Sequence, residues 1–212
     1  MSAPTLRIVA VSAGLSDASS SSMLAARIAA AIGRRAEGGP PAVSIETIEL
    51  RPMAHDVIDA SVTGFAAPRL QHAYDQLAAA DAIVVVTPIY QASYPGLFKA
   101  FFDPIEPGLL TGKPVLLAAT GGTARHSLAI DVALRPLFAY LQAMVVPTGV
   151  FASPHDWGSE GAGALESRID RAVGELVSLL GGQGTGRSFD DDIDLFSDTM
   201  LSISDPSRGV PD

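Results

Sequence analysis

Three short apolar runs, each followed by a loop rich in serine, proline or glycine, constrain this chain more than any other feature. Residues 6–11 (LRIVAV), 82–86 (AIVVV) and 114–119 (PVLLAA) are too short for helices and carry almost no polar side chain. Such runs read as parallel strands buried on both faces. Residues 43–50 alternate Val43, Ile45 and, after a break, Ile48 with polar neighbours, the pattern of an edge strand; residues 144–150 (MVVPTGV) supply a fifth. Between the strands the apolar spacing turns helical. It predicts helices over about 20–35 (Leu24, Ile28, Ile32), 69–79, a short one at 98–102, a long one from 124 to about 141, and 164–180 (Leu165, Ile169, Val173, Leu176, Leu180).

Five strands alternating with five helices form an open, doubly wound α/β sheet. With no second half to the pattern, the expected architecture is the flavodoxin-like three-layer α/β/α sandwich, a five-stranded parallel sheet in the order 2-1-3-4-5. One domain is expected over residues 1–186. Residues 187–212 form an acidic C-terminal tail, with seven Asp against Arg187 and Arg208. Its FDDDIDLF core mixes Phe189, Ile193, Leu195 and Phe196 with the acids, as a segment that docks on a partner would.

Composition removes several functions. There is no cysteine, so disulfides, thiolate metal sites and redox thiols are excluded, and any redox chemistry belongs to a bound cofactor. The net charge of -9 comes without a basic stripe, which disfavours nucleic acid and anionic membranes. No apolar stretch reaches the ~18 residues of a membrane span, and no leader pattern opens the chain, so a cytoplasmic protein is expected.

Ligands of such sheets sit outside the carboxyl ends of the strands, and three exits stand out. The first, from Ser12 through Ser19, Ser20, Ser21 and Ser22, opens a helix with a run of hydroxyls, the donors of a phosphate cradle or of a serine linker with an N-cap. No Lys or Arg lies between Arg7 and Arg27, so a phosphate there would be held by neutral donors. The second exit holds Pro88, Ile89, Tyr90 and Gln91, a rigid loop able to present a ring or backbone amides to a flat aromatic ligand; Lys99 beyond it reads as a solvated helix residue. The third, Thr120-Gly121-Gly122-Thr123, would let a ligand approach the backbone closely, and His126 after it reads as a hydrogen-bonded structural residue.

Two stretches carry a family resemblance. TPIYQASYPGLFKAFFD (87–103) resembles the TPxYxxSxPGxLKxxxD signature of NADPH-dependent FMN reductases, and ATGGTARHSLAIDVALRPLFAYLQA (119–143) resembles the ATGGTxxHxLAxDxALxPxxxxL stretch of the alkanesulfonate-associated FMN reductases. The resemblance spans about residues 6–152 without large insertions. It implies a flavin site in which Ser12 and Ser19–Ser22 match the phosphate loop. Pro88, Ile89, Tyr90 and Gln91 match the residues along the isoalloxazine, and Thr120, Gly121, Gly122 and Thr123 the third flavin loop. Two departures stand out. The first loop has Ala13-Gly14-Leu15-Ser16 where many relatives carry GSxR, and Val132 occupies the place of the inserted tyrosine that makes a π-bulge in the alkanesulfonate enzymes. No π-bulge is therefore carried over to this helix.

The activity implied is hydride transfer from NADH or NADPH to FMN, with no catalytic side chain and no metal, and with reduced flavin passed to a monooxygenase. A quinone or azo reductase with tightly held FMN, and a flavodoxin-like electron carrier, are the alternatives. Relatives form dimers or tetramers. A homo-oligomer is expected here too, because Leu128, Ile130, Leu134, Leu137 and Leu141 on the long helix exceed what one sheet face covers.

Overall fold

In a computed structural model the structure describes residues 5–16, 19–36, 41–158 and 161–182. The acidic tail, with the expected boundary after residue 186, lies outside the described residues. Strand β1 (Thr5–Ser12) pairs in parallel with β2 (Ala42–Glu49) on one side and β3 (Ala82–Pro88) on the other, and β3 pairs with β4 (Pro114–Thr120). The sheet closes with β5 (Met144–Val145) and β6 (Val150–Ala152), both beside β4, giving the expected order β2-β1-β3-β4-β5.

The two-residue period of the strands sorts the core into two layers. Val9, Val11, Ile83, Val85, Val115 and Leu117 point to one face, where they meet Leu70 and Leu77 of α3 (Pro68–Ala79) and the phenylalanines of α4 (Gly96–Phe102). Ile8, Ala10, Val84, Val86 and Leu116 point to the other. There Leu24, Ile28 and Ile32 of α1 (Ser20–Ala36) and Leu165, Ile169, Val173 and Leu176 of α6 (Ala162–Gly182) cover them. The first layer is pinned by rings: Phe98 to Phe102 at 4.9 Å, and Phe102 edge-on to Phe138 at 5.1 Å. Tyr74 of α3 joins them, and burial pushes its hydroxyl pKa up to about 12, consistent with its role as a donor to Phe101 O at 3.0 Å.

Three expectations about the elements are corrected. A further helix, α2 (Ala54–Thr63), follows β2; it buries only Val57 and Ala60 and leaves Ile58 and Val62 exposed, so it carries no clear apolar period. The run at 144–150 is two strand segments rather than one, since Pro147 has no N–H for a ladder.

The long helix expected over 124–141 is instead a 3-10 turn (Ala124–Leu128), a π turn (Ile130–Leu134) and a short α5 (Arg135–Tyr140). Pro136 explains part of this: it cannot donate within a continuous helix and is favoured in a helix's first turn, where it sits. The π turn, not expected from Val132, keeps Ile130 and Leu134 both buried while Val132 is 69% exposed. Arg135 locks it from below, donating to Asp131, Val146 O and Pro147 O, each at 3.0 Å. The apolar set of the expected helix is therefore divided. Ile130 and Leu134 are core, Leu137 and Leu141 pack partly against it, and Leu128 faces out.

Candidate active site

Continuation of the strand ladders ties the loops at the carboxyl edge of the sheet together. Ala13 N donates to Val86 O at 2.9 Å, Ile89 N to Thr120 O at 2.7 Å, and Gly121 N to Ala152 O at 3.1 Å. These bonds hold the exits of β1, β3, β4 and β6 side by side around a cleft of about 370 Å³, a size suited to a small organic ligand. Its lining includes Ser19, Ser20, Ser21, Pro88, Ile89, Tyr90, Thr120, Gly121 and Gly122, nine of the residues singled out from sequence.

The serines divide by role. Ser19 is the N-cap of α1, its Oγ accepting from the N–H of Ser21 at 3.1 Å and of Ser22 at 3.3 Å. Ser21 Oγ bonds Thr120 Oγ1 at 2.9 Å in a buried contact that ties the first loop to the third. Ser12 is fully buried, its hydroxyl 3.1 Å from that of the half-buried Ser22, which donates to Glu49 Oε2 at 3.2 Å. Neither lines the cleft.

In the second loop, Tyr90 N donates to Ser93 O at 2.8 Å and Ser93 N to Tyr90 O at 3.1 Å, closing a tight turn through Gln91 (φ 49°) and Ala92 (φ 68°). Two central residues of positive φ are the mark of a type I′ turn, which glycine favours. The turn pushes Tyr90, about half exposed, over the cleft and carries Gln91 away from its lining. Since the left-handed conformation costs a residue with a Cβ about 1–2 kcal/mol, Ala92→Gly is expected to stabilise the fold by up to ~1 kcal/mol, raising the midpoint by about 2–4 °C. A thermal melt checks it, and an unchanged or lower midpoint contradicts it. Thr123 likewise leaves the cleft, its Oγ1 accepting from Arg125 N at 3.2 Å to cap the 3-10 turn.

In the third loop, packing requires glycine at Gly121 but not at Gly122. A Cβ on Gly121 would meet Phe151 Cζ at 2.8 Å, whereas one on Gly122 would meet nothing within 4 Å and would point into open space. Nδ1 of His126 is buried and has no hydrogen-bond partner among the described residues. Lys99 pairs with Asp103 one helical turn on, and that hydrogen bond raises its pKa; it does not reach the cleft.

Over residues 6–158 the sequence matches the family described as NADPH-dependent FMN reductase. The chain belongs to that family. It is 37% identical to an FMN reductase (NADPH) of Pseudomonas aeruginosa over 84% of this chain and 94% of that protein. An oxidoreductase structure from Corynebacterium diphtheriae superposes with a TM-score of 0.80 at 44% identity, covering 84% of this chain and 97% of that one. The apo form of the NADH:FMN oxidoreductase EmoB does so at 0.67 and 31% identity, covering 79% and 88%. The family's activity is the NAD(P)H-dependent reduction of FMN, and this chain is an oxidoreductase of that class.

One part of this reductase's cleft is not among the three loops read from sequence. Ala152, Pro154 and Trp157 close it from the exit of β6. The β6 exit obeys the same carboxyl-edge rule as the others, but reading 144–150 as one strand hid it. The Trp157 ring is held by Arg27, whose guanidinium carbon lies 4.9 Å from the ring centroid and whose Nη1 reaches Glu166 at 3.4 Å. The turn bearing Trp157 is pinned by Asp156, whose Oδ2 accepts from Ser153 N at 2.8 Å and Ser153 Oγ at 2.6 Å. Burial pushes the Asp156 carboxyl up, but these bonds, with Arg168 and His155 nearby, outweigh it and leave the pKa below the ordinary aspartate value.

Proposed function

We propose that the cleft binds FMN with its phosphate at the amino end of α1 and its ring system between the Pro88–Tyr90 loop and Gly121-Gly122, where NADH or NADPH reduces it. The observation that carries this reading is convergence on one cavity. A capped helix N-terminus, which favours an anion, faces the same space as a glycine wall with room for a flat ligand and two aromatic side chains, Tyr90 and Trp157. Bound flavin supplies the two-electron chemistry by taking a hydride from the nicotinamide.

The chain's own part is to hold and orient. Among the described residues the lining carries no carboxylate, imidazole, ammonium or guanidinium, so no side-chain acid or base is assigned a role. Ser21 and Thr120 keep the phosphate end and the glycine wall in register through their shared hydrogen bond. Because the lining offers a phosphate only neutral donors, FMN is read as an exchangeable substrate, released after reduction to a flavin-dependent monooxygenase. Steady-state oxidation of NADH and of NADPH tests this. The expected result is a rate that rises to saturation with free FMN. A rate independent of added FMN but dependent on a benzoquinone, with FMN copurifying, would overturn it in favour of a quinone reductase.

The same proposal includes a homo-oligomer. Leu128, Val132 and Tyr140 are 67%, 69% and 85% exposed along one stretch that begins at Thr123, beside the cleft wall. A second copy covering them would stabilise the 3-10 and π turns. Sizing chromatography at dimer or tetramer mass is expected, and monomer mass contradicts it. Among the described residues no helix is long and apolar enough to cross a membrane.

A further inference from the structure

We propose that Glu49 tunes the affinity of the cleft for the flavin phosphate, holding it low by placing a carboxylate at the helix terminus that receives the phosphate; this rests on the FMN reading above. Glu49 ends β2 directly opposite Ser12 in the ladder, and its Oε2 accepts from Ser22, the third residue of α1. The Ser22 hydroxyl has one proton, and that proton goes to Glu49. Across the 3.1 Å to Ser12 it therefore accepts, so the chain runs Ser12 to Ser22 to Glu49. Two hydroxyls that the sequence offers to a phosphate are committed to the protein's own anion.

The hydroxyl that donates to this carboxylate belongs to the first turn of α1, beside the first loop. A Cβ on Gly14 would stand 3.2 Å from Ser22 Oγ, so the backbone that leads into the cleft-lining Leu15 lies directly on this chain of hydroxyls. No Lys or Arg lies between Arg7 and Arg27 in sequence. A helix N-terminus stabilises one nearby anion, and a second of the same sign at the same terminus is repelled. Glu49 thus already occupies part of the field that would otherwise serve the phosphate, which favours release of FMN after each turnover.

Riboflavin shares the ring and ribityl chain of FMN but lacks the phosphate, which isolates the effect. Dissociation constants of both flavins are measured by fluorescence quenching for the wild type, Glu49→Gln and Glu49→Ala, with thermal melts to confirm folding. Glutamine keeps an acceptor for Ser22 and removes the charge; alanine removes both. The expected result is FMN binding about tenfold tighter in Glu49→Gln, ~1.4 kcal/mol, with riboflavin unchanged within about twofold. Should the glutamine variant fail to fold, tightening of FMN alone in the alanine variant supports the same conclusion. Equal shifts for both flavins, or FMN binding unchanged or weakened, overturn the role of Glu49 while leaving the FMN site standing. A wild type that binds neither flavin overturns both.

Discussion

Gly122→Val is expected to weaken FMN binding by roughly ten- to a hundredfold while leaving the fold intact. Gly122 lines the cleft, its φ is outside the left-handed region, and an added Cβ would meet no atom of the described residues within 4 Å. Valine can therefore be accommodated by the chain. Its branched side chain is stiff at χ1, so the methyls cannot swing clear easily and must share the space of a ligand lying on the glycine wall. Crowding of this kind costs about 1–3 kcal/mol, which the Kd reports as a factor of ten per ~1.4 kcal/mol. Titration with FMN, beside a thermal melt, checks both halves. A wild-type Kd would mean that the ring system does not lie against this wall.

The largest effect on stability is expected at Phe98. Its side chain is fully buried, 4.9 Å from Phe102 and 5.3 Å from Tyr94 between ring centroids, and the N–H of the same residue donates to Pro95 O at 3.0 Å. Truncating such a ring leaves a cavity that the sheet on one side and Phe138 on the other cannot collapse. Phe98→Ala is expected to cost about 3–5 kcal/mol, a large share of the ~5–15 kcal/mol that holds a domain together. Because Phe98 sits in the first turn of α4, directly after the Pro88–Pro95 loop, FMN binding should fall with it. Phe98→Leu should restore most of the stability. Urea titrations of the three proteins read this out, and a loss below about 1 kcal/mol in the alanine variant would contradict it.

The parts of this fold that were legible in the sequence are those where one physical rule acts alone. Strands β3 and β4 are buried along their whole length and β1 from Ile8 onward, so these stretches are mostly apolar and the pattern admits few other readings. Helices α1 and α6 each cover one face of the sheet and keep a regular apolar period. Legibility failed where rules compete. Pro136 and Pro147 break elements whose apolar residues continue through them, and α2 is held by a mere two buried residues.

The site shows the same division. Residues whose backbone shapes the cleft, such as Pro88, Gly121 and Gly122, follow from strand exits and glycine spacing. What each serine does with its hydroxyl does not follow from the run of serines, because it depends on Thr120 and Glu49, 99 and 27 residues away from their partners. Trp157 lay behind a misread strand end. The π turn at Ile130–Leu134 forms without the inserted tyrosine, where Arg135 and the buried pair Ile130 and Leu134 fix it from the protein's own side.

Rapid mixing under anaerobic conditions shows whether this cleft presents FMN to a nicotinamide donor. Protein loaded with FMN is mixed with NADH and, separately, with NADPH, and the flavin absorbance is followed against free FMN with the same donor. At least one donor is expected to bleach the bound flavin far faster than it bleaches free FMN, and Gly122→Val to lose this advantage. Bound flavin that neither donor bleaches faster than free FMN would contradict that role of the cleft.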